Sequence, residues 1–116
     1  MFIAYAVTSI VLAALMTFAA VRKLGHREAV VATYTRVGVP EDKLDYLAFV
    51  LLAGAAGLLA GLAWAPIGVV AAAGTVAYFL LAVAAHVRHD DRANLPTPVA
   101  IELIALAALA LRLMTL

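Results

Sequence analysis

The residues best equipped for chemistry gather near the ends of two apolar stretches. Glu102 lies four residues past Pro98, inside a long run of apolar side chains. A carboxylate in hydrocarbon is costly unless paired. Glu102 is therefore either a proton-handling or ligand-binding group, or half of a structural ion pair with Lys23, Arg22 or Arg88. His86 closes another apolar stretch. At helical spacing it shares a face with Ala82, Phe79 and Thr75, with Tyr78 beside them. Facing inward, that stripe suits a small polar head group or a quinone carbonyl. The structural alternative is an interfacial histidine and hydroxyls bonded to nearby backbone. His86, Glu102 and Tyr78 are the candidate acid–base set. Thr75, Tyr78, His86, Glu102, Lys23 and Arg88 are the candidate ligand contacts.

Other chemistries are poorly served. The chain has no cysteine, which excludes disulfides, thiol redox chemistry and cysteine-ligated metals. His86, His89, Asp90 and Asp91 match no familiar zinc spacing, and a solvated loop has the same composition, so no metal is expected. No second well-placed histidine accompanies His86 as a haem ligand, so no cofactor is expected. Neither a Ser/His/Asp constellation nor a Gly-rich phosphate loop is evident. A net charge of +1 gives no reason to expect a nucleic-acid partner.

The elements that position these residues follow from hydropathy. Of 116 residues, 67% are hydrophobic and 13% charged, and the mean hydropathy is +1.10. Soluble domains are about half apolar and a quarter charged, so this chain belongs in lipid. A bilayer core takes about 20 apolar residues per helix. Four stretches qualify, at about residues 2–22, 44–63, 67–86 and 98–116, and make one membrane domain over 1–116. The first resembles a signal peptide at Phe18-Ala19-Ala20, but no Lys or Arg precedes it and its apolar run is too long, so it is expected to be retained.

Arg22, Lys23, Arg27, Arg36 and Lys43 fall between spans one and two, and Arg88 and Arg92 between spans three and four. Seven of the eight basic residues thus lie on one side. The positive-inside rule puts that side in the cytoplasm and both termini outside, with Trp64 as an outer interfacial anchor. Arg112 breaks the pattern and is expected to snorkel outward. Residues 26–37 read as a short amphipathic helix on the inner surface, with Val30, Thr33, Tyr34 and Val37 on its apolar face. Gly38 should end it in the left-handed conformation. Thr97 should cap span four, with Pro98 as its first helical residue. Hydroxyls of Tyr5, Thr8 and Ser9 should bond back to their own helix. Gly54, Gly57 and Gly61 make a small-residue stripe on span two, for packing within the bundle or against a second copy or protein partner. The expected fold is all-α, an integral membrane up-down four-helix bundle with a short interfacial helix between spans one and two.

Several segments carry a family resemblance. They are Arg22-Lys23-Leu24, Val37-Gly38-Val39-Pro40, the run Leu52-Ala53-Gly54-Ala55-Ala56-Gly57-Leu58-Leu59-Ala60-Gly61-Leu62, then Trp64, Pro66-Ile67-Gly68, and His86-Val87-Arg88 with Asp91. In order and spacing the chain resembles the DoxX-like family of small bacterial membrane proteins. The resemblance implies a four-helix fold, the bacterial cytoplasmic membrane and a link to quinone-dependent or redox assemblies. It also implies a carboxylate just before the Leu-Ala-Gly of span two, where this chain has Leu51. Glu102 is then a candidate to replace it in space.

Three functions are consistent with these residues. The first is an accessory or scaffold subunit of a membrane complex. The second is a small membrane enzyme acting on a lipophile such as a quinone or an epoxide, through His86 and Glu102. The third is a proton-coupled carrier, for which one membrane carboxylate is a thin set.

Overall fold

Four helices are long and apolar enough to cross a membrane. A computed structural model of the chain describes residues 2–25, 28–36, 38–89 and 95–115. The elements are α1 (Phe2–Leu24), α2 (Glu28–Arg36), a 3₁₀ turn (Glu41–Lys43), α3 (Leu44–Ala60), α4 (Ala65–Arg88) and α5 (Pro96–Met114). The chain is a multi-pass membrane protein whose spans are α1, α3 with its leading turn, α4 and α5. Its long axis of 41 Å matches a bilayer with its headgroup layers, about 40–45 Å.

The long helices close into a ring. α1 packs on α3 and α5, and α4 packs on the same two. The diagonal pair α1 and α4 meets through side chains, as where Thr75 Oγ1 lies 3.9 Å from Met16 Sδ. Leu12, Met16, Leu51, Leu58 and Phe79 fill the centre, and Ala48, Ala72, Ala105 and Ala108 keep the helices close. Large apolar side chains also point outward. Ile3, Val70 and Leu81 are all more than 70% exposed or at that value. In water such a surface would be a large apolar patch; here it is the contact with lipid.

Local sequence sets the turns. Gly38 has φ +83°. Its N–H donates to Thr35 O at 3.1 Å, and the Val39 N–H donates to Tyr34 O at 2.8 Å. That is the left-handed helix ending expected of this glycine. α2 has Val30 buried and Thr33 and Tyr34 half-buried. His26, Arg27, Val37, Asp90, Asp91 and Arg92 lie outside the described residues, and with them part of the expected interfacial helix and of the His/Asp cluster.

Three boundaries differ from expectation. α3 ends at Ala60 and not at 63, because Leu62 and Ala63 tighten into i→i+3 bonds to Leu59 and Ala60. α4 begins at Ala65, with Trp64 before it and Pro66 in its first turn. α5 begins at Pro96, with Leu95 at the cap position, so Thr97 is inside the helix and caps nothing. Pro96 and Pro98 both fit a first turn, where the missing N–H groups have no intrahelical partner to lose.

Candidate functional site

The loops joining α1 to α3 and α4 to α5 share one end of the bundle, here the basic end. Both termini and the Trp64 turn share the other, the terminal end. A cavity of about 180 Å³ opens at the basic end, beneath α2. α1 contributes Ala19, Arg22 and Lys23 to its lining. α2 contributes Val30, Thr33 and Tyr34, and α4 contributes Tyr78, Phe79, Ala82 and His86. α5 contributes Thr97, Pro98 and Ile101.

Each polar group arrives there for a local reason. Lys23 is in the last turn of α1, where a cation is favoured by the helix dipole. A lysine at a membrane boundary normally extends to water, but Lys23 is 3% exposed, because α2 folds back over it. Its Nζ lies 4.7 Å from the centre of the Tyr34 ring, a cation–π contact. Lys23 forms no hydrogen bond or ion pair with a described residue. Burial pushes the Tyr34 phenol above its ordinary pKa, with the Arg22 charge acting the other way, so the hydroxyl keeps its proton. The Tyr78 ring packs edge-on against Phe79 at 4.9 Å. Neither the Tyr34 nor the Tyr78 hydroxyl bonds a described residue. His86 Nδ1 is 2.7 Å from Ala82 O. The carbonyl can only accept, so Nδ1 carries a proton, and a neutral ring then has its lone pair on Nε2.

The expected stripe is thus divided. Tyr78, His86 and Lys23 share the cavity, whereas Thr75, Glu102 and Arg88 do not line it. Thr75 is buried higher on α4 and donates to Ala71 O at 2.8 Å, a hydroxyl returned to its own helix. Arg88 is exposed at the end of α4. Glu102 points inward at 8% exposure, as its cost in lipid requires. The expected donor is missing, because neither carboxylate oxygen has a hydrogen-bond partner among the described residues. Ile101 reaches the cavity, and Glu102 is turned about 100° from it around α5. Leu51, where the resemblance places a carboxylate, is 1% exposed in the core of α3, diagonally across the ring from α5.

Sequence reasoning placed Tyr34 on the apolar face of α2 but not in the site. The available signal was a tyrosine on a surface helix directly following a basic helix end. Among the described residues the cavity's polar groups are mainly donors, and no described acidic residue lines it. The arrangement therefore suits a ligand rich in acceptor oxygens.

The terminal end is held by close contacts among the described residues. Tyr5 was expected to bond within α1, but its hydroxyl donates to Leu58 O on α3 at 3.1 Å. Thr8 and Ser9 do bond back, to Ala4 O and Ala6 O. Arg112 was expected to snorkel into the outer medium, yet it is 6% exposed. Its guanidinium lies 5.1 Å from the Tyr5 ring and 5.6 Å from the Phe2 ring, and it donates to Thr115 Oγ1 at 2.7 Å. Two aromatic faces offset part of the desolvation that would otherwise drive it outward. The glycine stripe is occupied within the chain. A Cβ on Gly57 would meet Ala71 Cβ at 2.8 Å, one on Gly54 would meet Met16 Cε at 2.7 Å, and one on Gly61 would run into Gly68 Cα.

The profile of the DoxX-like family matches residues 7–108 of the chain. No curated protein and no solved structure matches it.

Proposed function

The chain belongs to the DoxX-like family, and from that premise we propose that it is a non-catalytic subunit of a membrane assembly whose basic-end cavity holds a lipophilic ligand without transforming it. One observation carries the reading. The cavity that collects His86, Tyr78 and Lys23 leaves out Glu102, so the carboxylate needed to complete an acid–base set is not at hand. The family resemblance to quinone-linked assemblies makes a redox complex of the bacterial cytoplasmic membrane the proposed setting. The basic end then faces the cytoplasm, with both termini outside. The chain has no cysteine, so single cysteines placed at Thr115 and Lys43 report orientation without background. Labelling of position 115 from outside intact cells supports this orientation, and labelling from the cytoplasm alone overturns it.

Purification in mild detergent tests the functional reading. Stable co-purifying proteins together with a bound lipophile support it. A chain that purifies alone, with an empty cavity, removes it. The second reading is an enzyme acting on a quinone or an epoxide, favoured by the imidazole of His86 in the cavity wall. His86→Gln separates the two: an enzyme relying on that imidazole loses turnover while staying folded, and a binding subunit keeps its ligand.

A further inference from the structure

We propose that the basic-end cavity is an oxyanion site, with Lys23 as the charge partner and the Tyr34 and Tyr78 hydroxyls as additional donors, and that its occupant is the phosphate of an anionic lipid headgroup. The proposal rests on the reading of the cavity as a ligand site and names the ligand's chemistry.

The central observation is the lysine. Lys23 is 3% exposed and lines the cavity. Its recorded partner is the face of the Tyr34 ring, and no described carboxylate or carbonyl receives its protons. An ammonium taken out of water is costly unless an opposite charge or several acceptors replace the lost hydration. A ring face replaces a small part of it. Arg22, also in the lining, adds a second positive charge, and no acidic side chain among the described lining residues answers either.

The remaining polar groups point the same way. Tyr34 and Tyr78 offer hydroxyls that bond no described residue, while Thr33 is turned back to Ala29 O at 2.9 Å. A neutral carbonyl would satisfy the phenols and leave Lys23 uncompensated. A phosphate satisfies both, because its oxygens accept several charge-assisted hydrogen bonds at once. The volume, about 180 Å³, is slightly more than the ~150 Å³ that holds one benzene ring. It fits a compact head group whose chains remain outside. The position favours a lipid as the source. Lys23 stands in the final turn of a membrane span, under the interfacial helix α2, at the depth where headgroups lie. Ala19, Phe79, Ala82, Pro98 and Ile101 give the cavity an apolar wall.

The test uses the whole chain, purified in a neutral detergent and stripped of lipid. Its thermal midpoint is followed on adding phosphatidylglycerol, phosphatidylcholine, inorganic phosphate or decylubiquinone, with native mass spectrometry counting retained lipid. Phosphatidylglycerol should raise the midpoint more than phosphatidylcholine, whose phosphate is the same but is tethered to a quaternary ammonium that Arg22 and Lys23 repel. Lys23→Met should weaken phosphatidylglycerol retention at least about tenfold, the worth of a charge-assisted bond. Lys43→Gln removes the same unit charge at the same end, outside the cavity, and should retain it. Tyr34→Phe keeps the ring over Lys23 and should weaken binding by a smaller factor. A response to inorganic phosphate that Lys23→Met abolishes keeps the oxyanion site and makes a soluble anion its occupant. Binding of decylubiquinone with no preference for phosphatidylglycerol overturns the oxyanion site and leaves the lipophile cavity standing. No response to any probe overturns both. Equal phosphatidylglycerol binding by wild type and Lys23→Met overturns the role of Lys23 even where the lipid binds.

Discussion

At the terminal end of the bundle, Gly61 and Gly68 bring α3 and α4 into backbone contact, and the Tyr5 hydroxyl reaches across from α1 to Leu58 O. At the basic end α1, α4 and α5 part to leave a cavity under α2, where the ammonium of the buried Lys23 has no acceptor among the described residues. The chain places a buried cation at each end and treats the two differently. Arg112 is clasped by Phe2, Tyr5 and Thr115. Lys23 has the face of one ring. In lipid there is no hydrophobic force between helices, so close packing and polar contacts supply the stability. The terminal end has both, and can hold the bundle together. The basic end gives up packing for space and leaves donors free, which is where a ligand can enter the energetics.

The comparison breaks most easily at the glycine crossing. A side chain on Gly61 would run into Gly68 Cα and would lie 2.6 Å from Tyr5 Oη. Backbone cannot yield as a flexible side chain does. Gly61→Leu should cost about 3 kcal/mol or more, at the upper end of overpacking, and should abolish expression or detergent stability. Gly57→Leu meets Ala71 Cβ and should be harmful to a lesser degree. If Gly61→Leu folds like wild type, the terminal end does not clamp the bundle.

Removing the unpaired charges should act in the opposite direction. Glu102 is buried with both oxygens unpartnered among the described residues, so Glu102→Leu should raise stability by about 1–3 kcal/mol, the penalty of an unsatisfied buried polar group, read as a higher thermal midpoint. Lys23→Met should also stabilise the lipid-free protein, while lowering its affinity for anionic lipid. Such a trade between stability and binding is expected where a site carries uncompensated charge. A fall in stability for either variant would mean that the charge has a partner in the bilayer-embedded protein.

Tyr5→Phe tests the cross-helix hydrogen bond of the terminal end. It keeps the ring under Arg112 and removes the bond to Leu58 O. A loss of about 1 kcal/mol is expected, read as a lower midpoint with no change in lipid binding. A change in lipid binding would show that the two ends are coupled.

Much of this division was legible in the sequence. Hydropathy located the four spans, because a bilayer imposes length and composition on each helix. Gly38 declared its turn, since few other residues adopt a positive φ at low cost. The clustering of Arg and Lys marked the basic end. Contacts between helices were less legible. Tyr5 and Leu58 are far apart in sequence, and nothing local to either predicts their bond. Arg112 was read by its distance from the helix end, which favours snorkelling, whereas Phe2 and Tyr5 hold it inside. Lys23 was read as a pairing partner for Glu102. Its burial depends on α2 folding back, which periodicity in α2 allows but does not require. Glu102 was rightly directed inward by its cost in lipid, but helical rotation relative to Ile101 decides which neighbour it meets, and that angle depends on packing.

The smallest expected effect sharpens the glycine argument. Gly74 is on α4, like Gly68, but a Cβ there would meet nothing within 4 Å. It lies beside a shallow apolar groove between α3 and α4, whose lining also includes Gly54, Gly57 and Met16. Its backbone is helical and its φ is not positive, so alanine introduces no strain. Gly74→Ala should therefore be neutral or stabilising by up to about 1 kcal/mol, the helix-propensity difference between the two residues. Measured beside Gly61→Ala, it separates two roles of glycine in one bundle. If both variants lose stability alike, glycine is needed throughout for a reason other than close approach. If Gly74→Ala alone is destabilising in native membranes but not in detergent, the groove holds something there that detergent removes.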